Sequence, residues 1–147
     1  MMKDVVISMH SVQGYDLDQE DTLSFITDGY YFRDGDVSCF SYMETEVTGL
    51  EGTRTSVIVR PDEVVVDRDG SITSRMIFRE GTKNSFQYAT PYGMATLSIS
   101  TKKINHCFDD NGGNLEVDYV VDMEHALVMR NKLQLNITEQ SEASYYG

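Results

Sequence analysis

The sequence predicts an all-β fold, a single antiparallel β-barrel of about 8–10 strands. Three observations lead there. Apolar and polar residues alternate at period two along most of the chain. Turn signals rich in Gly, Pro, Asn and Asp recur every roughly 8–12 residues. So many antiparallel strands in one small domain would leave aggregation-prone edges, and closing the sheet removes them. A barrel is therefore favoured over a sandwich. The 147 residues argue for one domain, large enough for a hydrophobic core without disulfide or metal staples. The barrel is placed at residues 1–138, and the polar end "EQSEASYYG" (139–147) is read as a frayed tail.

The elements follow in order. Val5, Ile7 and Met9 alternate in the first strand. Leu23, Phe25 and Tyr31 share a face in the second, which ends at the turn "RDGD" (33–36). Val37, Cys39, Met43 and Val47 alternate next, then Thr53, Thr55, Val57 and Val59. Pro61 ends that strand because it has no amide to donate to a ladder. Val64 and Val66 precede a turn read at "DRDG" (67–70). Ile72, Met76 and Phe78 share a face up to Gly81, and Phe86 and Tyr88 lead to the turn "TPYG" (90–93). Leu97 and Ile99 have one parity, Ile104 and Phe108 the other. A bulge near Lys102-Lys103 reconciles them. "DDNGG" (109–113) carries Asn-Gly, a strong hairpin signal. Leu115, Val117, Tyr119 and Val121 follow, then Leu127, Met129, Leu133, Leu135 and Ile137. Residues 121–131 contain good helix formers and no Gly or Pro, so a hairpin and a short helix both stay open there.

"EVTGLEGTRTSV" (46–57) admits two registers. A three-residue loop, Leu50-Glu51-Gly52, closed by a left-handed Gly52, pairs odd residues with odd. Met43, Thr45 and Val47 then line the inside with Thr55, Val57 and Val59. Tyr42, Glu44 and Glu46 fall outside, with Arg54 near Glu46. A two-residue turn at Gly49-Leu50 flips every side chain. The first register is preferred because it keeps glutamates out of the core.

Composition excludes several functions. A net charge of -12 repels nucleic-acid backbones and anionic lipid. The N-terminus alternates and is no signal peptide, and no apolar run approaches the ~20 residues that span a bilayer. The two cysteines, Cys39 and Cys107, read as buried thiols in a reducing compartment. A cytoplasmic protein is expected, without membrane or nucleic-acid partners.

The chemical motifs are weak. Gly49-x-x-Gly52 lacks the Lys-Ser/Thr of a P-loop and the helix whose amides bind phosphate. Glu44 and Glu46 lie about 7 Å apart on one strand face, a distance that suits acid–base work, but a solvated face is the plainer reading. His106 and Cys107 point to opposite faces, and His10 and His125 have no ligand spacing. "DDNGGN" does not fit a calcium loop. No nucleophile motif is present. No cofactor, metal or catalytic residue is assigned.

"SYMETEVTGLEGTRT" (41–55) resembles a segment of the bacterial YwiB-like proteins, a family of unknown function with a lipocalin-like (calycin-type) β-barrel. "MIFREG" (76–81), "TPYG", "TKK" (101–103) and "NGGNLEVDY" (111–119) follow in that family's order, so the likeness runs from about Lys3 to Ile137. Met129-Arg130 departs from the family pattern. The resemblance implies the barrel and no reaction.

Two functions remain. A barrel can enclose a small apolar ligand, here against Met43, Thr45, Thr55, Val57, Met76, Phe78 and Tyr119, unless those side chains simply fill it. Alternatively, an outer face of Tyr42, Glu44, Glu46 and Arg54 docks a basic protein or a second copy of the chain. Catalysis ranks third, because fold alone argues for no chemistry.

Overall fold

A computed structural model describes residues 2–16, 19–90, 93–123 and 127–140. Ten strands run in chain order: β1 (Lys3–Asp16), β2 (Gln19–Asp34), β3 (Val37–Met43), β4 (Arg54–Arg60), β5 (Glu63–Asp69), β6 (Thr73–Phe78), β7 (Lys83–Thr90), β8 (Gly93–Asp109), β9 (Gly112–Met123) and β10 (Leu127–Glu139). Each pairs antiparallel with its sequence neighbours, and β1 pairs with β10 to close the barrel. No helix of the described residues is long and apolar enough to cross a membrane.

Period-two burial is the physical basis of the architecture. Val5, Ile7, Tyr31, Phe40, Val57, Val59, Val64, Val66, Phe78, Ile99, Leu115, Val117, Leu135 and Ile137 converge in one core. The bulge lies between Thr101 and Lys103 and brings Ile104 and Phe108 back against that core. Met123 pairs with Leu127, so β9 and β10 form a hairpin and the short-helix alternative falls away on either side of 124–126. The middle of "TPYG" and the tail from residue 141 lie outside the described residues.

Three expectations need correction. β5 continues through the residues read as the turn "DRDG", pairing Arg68 with Thr55 and Asp69 with Arg54. Cys39 is half-buried and Cys107 is exposed, because both sit on outward-facing positions. The register around residues 42–59 is the opposite parity: Tyr42 pairs with Thr55 and Met43 with Arg54.

That last reversal has a local cause. Residues 45–52 make two successive turns, with Gly49 N–H donating to Glu46 O at 3.1 Å and Thr53 N–H to Leu50 O at 3.0 Å. Both Gly49 (φ 76°) and Gly52 (φ 80°) are left-handed, a conformation that strains other residues. One left-handed glycine was expected. The second turn lengthens the loop and flips the face of every residue before it.

Candidate functional site

Register alone places three successive rungs on the inner face of β3–β6. Ser38, Val59, Val64 and Phe78 form the first, and Phe40, Val57, Val66 and Met76 the second. The third is Tyr42, Thr55, Arg68 and Ser74. The sequence thus builds an apolar floor and, two residues further along each strand, a polar layer.

At the floor the polar groups of Tyr31 and Ser38 find partners. The Tyr31 hydroxyl donates to Asp109 O at 2.6 Å and lies 3.1 Å from Ser38 Oγ, which also accepts from Arg33 Nη1 at 3.0 Å. Tyr31 and Phe40 both stack on Phe108.

In the polar layer satisfaction is incomplete. Glu44, 6 % exposed, is held by two threonines: Thr55 Oγ1 donates to Oε1 at 2.7 Å and Thr48 Oγ1 to Oε2 at 2.8 Å. A buried carboxylate persists when its oxygens are hydrogen-bonded in this way. Tyr42 packs against Phe25 at 5.9 Å between centroids, and its hydroxyl faces Glu44 and Thr55. Burial, then the Glu44 charge, pushes the Tyr42 phenol well above its usual value, while Arg68 opposes the shift. Gly29 lets the strands meet here, since a Cβ at that position would collide with Ser41 O and the Ile7 side chain. Arg68 Nη1 approaches Met76 Sδ at 3.9 Å, but Arg68 Nε and Ser74 Oγ are buried with no hydrogen-bond partner. Tyr119 lies near Arg68, edge-on to Phe78 at 4.7 Å; burial raises its phenol too.

A gap in the barrel wall adjoins Arg68 and Ser74. Among the described residues β6 and β7 share only the pair Thr73–Ala89, whereas β1 and β10 pair from Val5–Glu139 to Gly14–Arg130. A cleft of about 520 Å³ opens here, lined by Arg68, Ser74, Thr73, Gln87 and Met94, with Asp67 and Asp69 among its other walls. A second groove of about 490 Å³ lies at the opposite end of the rung, where β3 parts from β2, against Tyr42, Met43, Thr45, Arg54 and Tyr30. Among the described residues, no three or more His, Cys, Asp or Glu gather to hold a metal ion.

The residues singled out in the sequence are redistributed by this geometry. Thr55, Val57, Met76, Phe78 and Tyr119 face inward. Met43 and Thr45 do not; both are exposed on the outside. Tyr42 and Glu44 are buried rather than part of an outer face, while Glu46 and Arg54 remain exposed. Arg68 and Ser74 were missed. Arg68 has the parity of Val64 and Val66, a signal hidden by the turn-like composition of "DRDG".

A family model described as a domain of unknown function (DUF1934) matches residues 7–135. The uncharacterised β-barrel protein YwiB of Bacillus subtilis (strain 168) is 30 % identical over 121 residues, covering 81 % of this chain and 83 % of that protein. The crystal structure of the ywiB protein from Bacillus subtilis superposes with a TM-score of 0.84 at 22 % identity, over 95 % of this chain and 94 % of that one. At that identity the superposition carries the fold.

Proposed function

We propose, for a chain that belongs to the DUF1934 family of domains of unknown function, that the polar end of the barrel binds a small molecule. The observation that carries this reading is the buried Ser74 hydroxyl without a partner, beside Arg68 and at the wall of a cleft. Buried polar groups in folded proteins are almost always satisfied, and an orphaned one next to open space is accounted for by a group that occupies the space. The small apolar ligand expected from the sequence would meet a floor whose side chains are buried against one another. An amphiphilic molecule, with a polar head at the Arg68 rung, suits the polar layer better. Cytoplasmic residence belongs to the same reading and is supported by two free cysteines, one of them exposed.

The test is native mass spectrometry of the isolated protein together with thermal shift against metabolite and lipid panels. A bound species, or a stabilisation of a few degrees that grows with ligand concentration, supports binding. Flat results in both would overturn it.

A second reading, self-association, is favoured by one feature. Ile26, Tyr30 and Phe32 alternate on the outer face of β2 at 74 %, 47 % and 39 % exposure, with Met43 beside them on β3. Light scattering on Ile26→Glu/Phe32→Glu decides it: a dimer that becomes a monomer supports the reading, and a wild-type monomer at all concentrations ends it.

A further inference from the structure

The geometry points to a small organic monoanion, a carboxylate on a short apolar body, as the ligand of the cleft between β6 and β7, with Arg68 and Ser74 holding its head. The inference deepens the small-molecule reading above and rests on it.

Arg68 extends from an inward-facing position on β5 and makes no ion pair within 4.0 Å among the described residues. Two of the nearby acids are committed elsewhere, and the exposed Asp69 makes no ion pair with Arg68. Both carboxylate oxygens of Glu44 accept from threonines. Asp67 sits on the outer face with Arg75 at 3.5 Å. A half-buried guanidinium without a counter-ion is costly to hold, and an anion relieves that cost. The fork of the guanidinium matches the two oxygens of a carboxylate. Ser74 is the register partner of Arg68 and is 5 % exposed, and its unpartnered hydroxyl adds a third donor beside the fork.

The rest of the cleft selects size and charge. Its volume of about 520 Å³ suits a small molecule. Met94 lines the cleft and gives an apolar body something to pack on. Asp67 at its wall is paired with Arg75, which also lines the cleft, but Asp69, on a chain of net charge -12, acts against a doubly charged head such as a phosphate monoester. The missing β6–β7 pairing supplies the way in.

The experiment compares three probes with the same eight-carbon body: octanoate, octan-1-ol and octyl phosphate. Binding to the full chain is followed by calorimetry and by amide chemical shifts. Octanoate is expected to bind at least roughly tenfold more tightly than octan-1-ol, the worth of a charge-assisted hydrogen bond. Arg68→Gln should abolish that preference, Arg68→Lys should restore part of it, and Ser74→Ala should weaken octanoate by roughly fivefold. The largest wild-type shift changes should fall on residues 67–69, 73–75 and 87. Circular dichroism verifies that each variant folds. If Arg68→Gln does not fold, Ser74→Ala and the wild-type preference decide the matter. Equal affinity for octanoate and octan-1-ol, indifferent to Arg68, would overturn the anion assignment and leave the barrel-binding reading standing. Tighter binding of octyl phosphate would overturn the monoanion class. No binding by any probe would overturn the inference, and the wider reading falls with it only if the panel screen is also flat.

Discussion

The rung Phe40–Val57–Val66–Met76 and the rung Tyr42–Thr55–Arg68–Ser74 lie two residues apart on the same four strands. The first is entirely apolar and shut off from solvent. The second holds a cation, an unpartnered hydroxyl and a phenol beside a buried carboxylate. Nearby, at the floor, even the polar groups of Tyr31 and Ser38 are matched. One layer therefore holds the fold together, and the other leaves hydrogen-bonding capacity unused. That division separates residues that stabilise from the residues proposed above to bind.

The largest effect should come from breaking the apolar rung. Phe40 is 2 % exposed and stacks on Phe108, so Phe40→Ala removes its contacts and leaves a cavity. A loss of about 3–5 kcal/mol is expected in urea denaturation. A loss below about 1 kcal/mol would show that the floor collapses freely around the missing ring and does not hold the fold as described.

The two seams sharpen the comparison next. β1 and β10 are paired along most of their length, and β6 and β7 at one position. Beyond that pair, Asn84 Nδ2 reaches Ile77 O at a long 3.5 Å. Hydrogen exchange should therefore find the amides of residues 74–78 that face β7 opening at least on the order of a hundredfold faster than those joining β1 to β10. Uniform protection around the barrel would mean that the gap is closed in solution, and with it the route to Arg68.

Much of this fold was legible in the sequence, and the reasons it was not all legible are local. Alternation at Val5/Ile7, Val57/Val59 and Leu115/Val117 gave the strands, because the inner face of a barrel must be apolar at period two. The Lys102-Lys103 bulge was forced by the change of parity between Ile99 and Ile104. The candidate site resisted the same logic twice. Glu44 was kept outside by the rule that lone glutamates are not buried, but Thr48 and Thr55 are its partners, and their approach depends on a double turn with two left-handed glycines. Asp and Gly around Arg68 signal a turn, although the strand parity carries straight through to it. In both places the side chains break the apolar pattern that marks a strand in the sequence.

A smaller effect distinguishes the layers by pH. The ordinary tyrosine value is 10.0, and Tyr42 lies above it in the folded protein, through burial first and the Glu44 charge second. Tyr119 is raised by burial. The neutral phenols favour the fold, so their contribution is complete below pH 10 or so. Above that, the unfolded chain loses these protons first and binds fewer than the folded one, so stability falls as pH rises toward the folded values. Tyr42→Phe should flatten this alkaline decline, leaving the part due to Tyr119. An unchanged decline in Tyr42→Phe would place the Tyr42 ring in water rather than in the buried layer.

The smallest change in stability is expected where the change in binding is largest. Arg68→Met replaces a half-buried guanidinium by an apolar chain of similar length, next to Met76. Had Arg68 been one half of a buried ion pair, removing it would strand a carboxylate and cost several kcal/mol. Glu44 already has its two threonine donors, and Asp67 keeps Arg75, so no acid loses its partner. The substitution also relieves the desolvation of an unpartnered Nε. Stability should therefore change by less than about 1 kcal/mol or rise, while any preference for anionic ligands disappears. That outcome would fit the binding role proposed for Arg68. A loss of several kcal/mol in Arg68→Met, measured by denaturation without ligand, would instead make the guanidinium a structural member of its rung and erase the contrast between the two layers.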